Sequence, residues 1–413
     1  MTLKIDGERL WSRLMDMAKI GATPAGGCNR QALTDEDKRG RDLFCQWARE
    51  AGCEIRVDAM GNIFARRAGR NKDAAPVISG SHLDTQPTGG KFDGVYGVLA
   101  ALEVIESLND HDIETEHPFE AVVWTNEEGA RFAPAMIGSG VFCGEFELDF
   151  AHAIADKEEK TIGSELSRIG YDGDEPCVPF PIQASYEVHI EQGPILEAKD
   201  KPVGIVTGVQ GMRWFDIVID GSPVHAGPTP MEMRQDPVRA LHKIIDRIYE
   251  LTEKRSPDSR ATFGDIIVSP GSRNTVPQQI KLSVDIRHPD ENTLEAMEKE
   301  MRQVAIEEAK HADVDLKIDV IWRSSAVAFN QNCLNDIRRS VEVLGMPHIE
   351  MISGAGHDSV YVSKVAPTAM IFVPCERGIS HNEAENADPA HLTAGTNVLF
   401  YTVLNSAKRI GVS

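Results

Sequence analysis

Four short segments carry residues whose types and spacing suit metal chemistry. In Ser79-Gly80-Ser81-His82-Leu83-Asp84-Thr85, His82 and Asp84 stand two apart. On extended backbone such side chains share a side, so the histidine can bind a metal while the carboxylate orients its ring or its neighbours. Shortly after comes Lys91-Phe92-Asp93-Gly94, where Asp93, in a glycine-rich turn, could bridge two cations. Thr125-Asn126-Glu127-Glu128-Gly129 sets two carboxylates side by side. They repel unless something positive stands beside them. A metal resolves this if one carboxylate coordinates and the other stays free as a base.

Two further histidines complete the set. His189 lies in the alternating stretch Tyr186-Glu187-Val188-His189-Ile190-Glu191-Gln192-Gly193, and His381 in the glycine-flanked loop Gly378-Ile379-Ser380-His381-Asn382. Each segment alone has an ordinary explanation: a surface loop, a solvated acidic turn or a hydrogen-bonded strand histidine. Together they offer His, Asp, Glu, His and His, which suits zinc, manganese or cobalt better than magnesium or copper. Two such ions sharing Asp93 would lie about 3.5–4 Å apart around a water of lowered pKa.

The elements that must position these residues alternate along the chain. Asp6 to Ile20, Asp35 to Ala51 and Val95 to Leu108 read as helices, and Pro76 to Ser81 and Phe119 to Thr125 as buried strands. This order predicts βαβ units and an α/β class with a mostly parallel mixed sheet and helices on both faces. The pattern changes after Gly204. Trp214 to Ile219, Thr262 to Val268, Gln279 to Arg287 and Val314 to Trp322 read as strands, around helices over Pro237 to Lys254 and Asn292 to His311. The order β-α-β-β-α-β predicts a split-βαβ, ferredoxin-like insertion. The first pattern then resumes with a helix over Cys333 to Leu344, a strand over Thr368 to Val373 and a helix after Asp388. The expected organisation is a discontinuous domain, 1–213 and 330–413, interrupted by residues 214–329.

Composition narrows the partners. Forty-three basic against 64 acidic residues give the 413-residue chain a net charge of −21, which disfavours nucleic acid and anionic membrane surfaces. Charges at Lys4, Asp6, Glu8 and Arg9 break any signal-peptide core, and no stretch has the length of a membrane span. Seven scattered cysteines without a CxxC predict a reduced, cytoplasmic protein whose metal ligands come from histidine and carboxylate.

The segments SGSHLDTQPTGGKFDG, VVWTNEEGARF, EVHIEQGP, PVHAGPTPMEMRQD, GAGHDS and GISHNEAE together resemble the hydantoinase/carbamoylase branch of the M20 metallopeptidase-like amidohydrolases. The resemblance runs along essentially the whole chain. It implies two divalent ions per subunit, zinc or else manganese or cobalt. His82 and His189 would bind one, Glu128 and His381 the other, and Asp93 both. Glu127 would be the general base and Asp84 a supporting carboxylate. His225 would stabilise the oxyanion, reaching the site from the partner of a homodimer formed through the inserted lid domain. Asn274 and Arg287 would hold the substrate carboxylate, and Gln192 and Gly356 would contact its ureido end and backbone. Residue reading agrees for Arg287, since a guanidinium fork suits a carboxylate, although a surface pair with Asp285 is the default explanation of such a residue.

The QPTGGKFDG and TNEEGARFAP stretches look most similar to N-carbamoyl-L-amino acid hydrolases, which implies C–N cleavage to the free amino acid, ammonia and carbon dioxide. β-Ureidopropionase and allantoate amidohydrolase activities are near alternatives. A dipeptidase or aminoacylase, or a non-catalytic binding protein, is more remote.

Overall fold

In the computed structural model, which describes residues 3–410, the strands run in chain order as β1 (Glu54–Val57), β2 (Ile63–Arg67), β3 (Val77–His82), β4 (Phe119–Trp124), β5 (Ala184–Ile190), β6 (Val203–Val209), β7 (Gly211–Asp220), β8 (Arg260–Thr262), β9 (Ile266–Ser269), β10 (Gln279–His288), β11 (Asp315–Ser324), β12 (Val327–Ala328), β13 (His348–Ser353) and β14 (Thr368–Val373). The chain divides into two compact units, Met1–Thr207 with Phe329–Ser413, and Gly208–Ala328.

The first unit is built on a mixed sheet in the order β1-β2-β4-β3-β5-β14-β6, with β13 also pairing β6. Its centre is parallel: β3 pairs β4 and β5, and β14 pairs β5, all in parallel register. The flanks are antiparallel, at β1–β2, β2–β4 and β14–β6. The central strands are fully buried, which is why they read as continuous apolar runs such as FEAVVW and TAMIFV. Two apolar helices, Val95–Asp110 and Pro389–Ser406, pack on one another and on these strands. The expected helices, buried strands and mixed sheet are all present. The β1–β2 hairpin and β13 were not anticipated.

The second unit is an antiparallel sheet in the order β11-β7-β10-β8, with β9 also on β10. The helices Pro237–Arg255 and Glu291–His311 pack against it. Both start on an aspartate cap: Asp236 accepts from the Val238 N–H and Asp290 from the Thr293 N–H. Alternating residues of the strands, among them Phe215, Ile217, Ile219, Leu282, Val284 and Ile286, fill the core beneath Ile244, Ile248, Leu294 and Met301. The strand expected over Thr262 to Val268 is corrected to two, β8 and β9, broken around Gly264. There Ser283 takes over the pairing, exchanging hydrogen bonds with the Asp265 backbone. A glycine inside a strand weakens the ladder in this way. No helix among the described residues is long and apolar enough to cross a membrane.

Candidate active site

The candidate residues gather at the carboxyl ends of the parallel strands, where open α/β sheets place their ligands. His82 ends β3 and His189 lies near the end of β5. Glu127 and Glu128 follow β4, and His381 follows β14 on a longer loop. Asp93 sits just before the Val95–Asp110 helix, whose entry is Gly94 at φ +68. A Cβ at Gly94 would lie 2.3 Å from the His82 ring, so the close approach of this loop to His82 requires glycine.

Local hydrogen bonds hold each strand end. Buried Arg30 donates from Nε to the Leu83 carbonyl (2.8 Å), and its backbone N–H donates to Thr85 Oγ1 (2.8 Å), which braces the turn after β3. The Asp84 carboxylate accepts from the backbone N–H groups of Glu127 and Glu128, both at 3.2 Å, and so ties the ends of β3 and β4 together. Asn126 turns the chain at φ +56, with its amide donating to the Phe132 carbonyl at 2.8 Å.

Asp93 is the common member. Its Oδ1 is 3.2 Å from His189 Nε2 and 3.9 Å from His82 Nε2, and its Oδ2 is 3.3 Å from His381 Nε2. His381 Nε2 is also 3.4 Å from Glu128 Oε2. His82 and His189 direct Nδ1 to backbone carbonyls, of Asp84 at 2.8 Å and Ile190 at 2.9 Å, which leaves Nε2 facing Asp93. Gln86 donates to Glu128 Oε2 at 2.7 Å, and Gln192 and Ser380 each donate to Asp93 Oδ2 at 3.0 Å. Glu127 Oε2 lies 3.5 Å from His82 Nε2 without entering either ligand group.

Three groups offer ligand atoms within 4.8 Å of one another: His82, Asp93 and His189, and Asp93, Glu128 and His381, which share Asp93, and a third of Glu187, His189 and His357. The charge balance supports a metal here. Asp84, Asp93, Glu127 and Glu128 crowd together, and among the described residues their ion-pair contacts are to histidine only. Burial, followed by the charge of Asp358 and then of Glu128, pushes Glu127 well above the ordinary carboxylate range. Burial and then Asp93 push Glu128 up to about 8. Burial also opposes charge on Asp93, but hydrogen bonds from His189 and His381 outweigh it and hold that carboxyl well below its usual range. Burial opposes charge on His189, but its bond to Asp93 together with the charges of Asp93 and Glu187 outweighs burial and raises it to about 9, and His381 is raised to about 9 first by its bond to Asp93. Excess buried anions around imidazole nitrogens are what divalent cations neutralise. The donor set fits divalent metal.

His82, Asp84, Asp93, Glu127, Glu128, His189, Gln192 and His381 are thus brought together. Gly356 precedes His357, whose buried ring lies edge-on to His189 at 4.7 Å. His225, Asn274 and Arg287 belong to the second unit. There the exposed His225 accepts at Nδ1 from the Gly227 N–H at 3.1 Å, and Asn274 accepts from Ser272 Oγ at 2.9 Å. Arg287 forks onto Asp285, with Nε 3.0 Å and Nη2 2.7 Å from Oδ2, so the surface pair does form.

Sequence reasoning missed several polar residues around the cluster: Gln86, Glu187, His357, Asp358 and Glu385. Buried Glu187 accepts from Ser81 Oγ at 2.7 Å and Ser359 Oγ at 2.6 Å. Buried Glu385 is pushed up to about 7 by burial and then by Asp93. All five lie inside the motif segments; Glu187 carried a signal, as a charged side chain in an otherwise buried strand, whereas Gln86 and Glu385 stand next to exposed residues.

Residues 78–405 match the family described as Peptidase family M20/M25/M40. The chain is 45% identical over 405 residues to an N-carbamoyl-L-amino-acid amidohydrolase from Rhizobium meliloti, covering 98% of this chain and 97% of that protein. It is 37% identical over 408 residues to an N-carbamoyl-L-amino acid amidohydrolase from Geobacillus stearothermophilus, covering 98% and 99%. The crystal structure of an amidase of the hydantoinase/carbamoylase family from Burkholderia multivorans matches with a TM-score of 0.96 at 52% identity, covering 98% of this chain and 99% of that one. The chain therefore belongs to peptidase family M20/M25/M40, in its hydantoinase/carbamoylase branch of metal-dependent amidohydrolases.

Proposed function

We propose that this protein hydrolyses the carbamoyl C–N bond of an N-carbamoyl-L-amino acid. One water is consumed, and the free amino acid, ammonia and carbon dioxide are released. The observation that carries this reading is the pair of ligand groups sharing Asp93 beside a Glu127 that stands outside both. The substrate class is supported by the relatives of similar length named above.

His82 and His189 would hold one divalent ion, Glu128 and His381 the other, and Asp93 both. Such ions supply Lewis acidity and a water of lowered pKa. Glu127 takes the proton of the attacking water at Oε2 and later hands it to the leaving nitrogen. Asp84 fixes the backbone of Glu127 through its hydrogen bond. Gln192 Oε1 is buried with no hydrogen-bond partner among the described residues, and a ureido N–H would satisfy it. Gly356 would let the substrate backbone approach closely.

His225, Asn274 and Arg287 complete this assignment from the inserted unit. His225 would donate to the developing oxyanion, a contribution worth roughly 3–4 kcal/mol per well-placed donor. Asn274 and Arg287 would bind the single carboxylate. The inserted unit would serve as a lid and pair two copies into a homodimer, with His225 crossing to the partner's site. This rests on the family resemblance.

The test is ammonia release from N-carbamoyl-L- and D-amino acids, N-carbamoyl-β-alanine and allantoate, with dipeptide cleavage assayed alongside. N-carbamoyl-L-amino acids should turn over fastest. Cleavage of the dipeptide alone would overturn the substrate class.

A further inference from the structure

Glu385 has no part in the chemistry above, yet it joins the two loops that carry Asp93 and His381. It is 1% exposed. Its Oε1 accepts from the backbone N–H of Phe92 at 2.9 Å and of Asp93 at 3.2 Å. Its Oε2 lies 3.0 Å from Ser380 Oγ, which also lies 3.0 Å from Asp93 Oδ2. One carboxylate thus grips the backbone of the shared ligand and the residue next to His381.

The loop carrying His381 needs such a grip. Arg377, Gly378 and His381 all have positive φ, at +57, +65 and +53. Non-glycine residues hold this conformation only where surrounding contacts impose it. His381 has a half-exposed side chain, so burial does little to fix it. Other anchors of the loop lie at its base: the Glu376 N–H donates to the Asn386 carbonyl at 2.7 Å, and the Arg377 N–H to Glu197 Oε2 at 2.8 Å. Glu385 connects it to Asp93. The Asp93 loop is shaped to receive that carboxylate, since a Cβ at Gly90 would lie 2.0 Å from Glu385 Oε1.

We propose that Glu385 is a positioning residue that clamps the Asp93 and His381 loops in register and thereby sets the affinity of the ion held by Glu128 and His381. The proposal rests on the reading that these residues bind metal. Glutamine should serve nearly as well as glutamate. Its oxygen can accept both backbone N–H groups, and its amide can donate to Ser380 Oγ, leaving that hydroxyl to donate to Asp93. Alanine cannot do either.

The experiment is calorimetric titration of Mn2+ into chelator-stripped wild-type protein, E385Q, E385A and G90A, with melting temperatures of the stripped proteins as a folding control. G90A drives the carboxylate from its seat while leaving its charge, and so tests the clamp even where E385A does not fold. Wild type and E385Q should bind two ions with affinities within a fewfold of each other. E385A and G90A should keep the tighter site and lose roughly 10–100-fold at the weaker one. Two-ion uptake by wild type with unchanged affinities in E385A or G90A overturns the clamp alone. Equal losses in E385Q and E385A also overturn it, because charge rather than hydrogen bonding would then be the cause. Failure of the wild type to bind a second ion overturns the metal assignment, and the clamp with it.

Discussion

The two halves of the proposed metal cluster use similar side chains in unlike settings. His82 and His189 are 2% and 1% exposed and stand on parallel strands of one sheet. Glu128 follows a turn, and the His381 side chain is 52% exposed on a loop. The first half is fixed by the ladder hydrogen bonds that make the sheet. The second is fixed by individual side-chain contacts, from Gln86, Ser380 and Glu385. A ligand on a strand is placed by many cooperative bonds, whereas a ligand on a loop is placed by a few that can be removed singly.

Glu127 belongs to neither half, and its substitution has the largest expected effect. Glu127→Gln should lower kcat by at least roughly 10²–10⁴-fold while leaving two-ion content unchanged by elemental analysis. Retained turnover would remove the base assignment. Loss of metal would move Glu127 into the ligand set.

Removing one histidine from each half tests the comparison directly. His82→Ala should abolish uptake at the first position and destabilise the fold by roughly 1–3 kcal/mol, because it leaves buried polar partners behind. His381→Ala should lose one ion equivalent while its melting temperature stays near that of the stripped wild type. Equal thermal costs would show that burial does not separate the halves.

The smallest effect is a pH dependence of the stripped protein. Glu128 is raised to about 8 from 4.5, and His189 and His381 to about 9 from 6.5. Each group therefore binds more protons folded than unfolded between its two values. Stability is greatest below the unfolded value and is lost as pH rises through the folded one. The melting temperature of stripped protein should fall from about pH 6 to about pH 9, and bound ions should flatten the curve by replacing those protons. A rise over that range would contradict the assigned shifts.

Much of this was legible in the sequence. TAMIFV is a strand with the expected bounds, and the alternation in Gln279 to Arg287 places its even-numbered apolar residues in the core. The gathering of His82, Asp93, Glu128, His189 and His381 was legible because histidines and carboxylates recur at the ends of the buried strands. The hairpin β1–β2 was not, because EIRV alternates over only four residues and IFARR ends in adjacent arginines that point to opposite faces. Nor was the role of Glu385, whose partners are backbone N–H groups about three hundred positions away that no residue type announces. The break at Gly264 is a matter of register with Ser283, which is set only once β10 is in place.

The position of β14 has a consequence for how the molecule comes into being. Although late in the chain, it lies between β5 and β6 in the sheet. During synthesis β5 and β6 emerge first and must wait, with edges unpaired, while the contiguous unit Gly208–Ala328 is made. The strand pairings of that unit's own sheet all fall within it. The sheet cannot close until residue 373 has left the ribosome, and the cluster is incomplete until His381 follows. A nascent chain halted before β14 therefore exposes sheet edges prone to mispairing and holds only part of its ligand set, so assembly of the active centre is among the last events in the making of this protein.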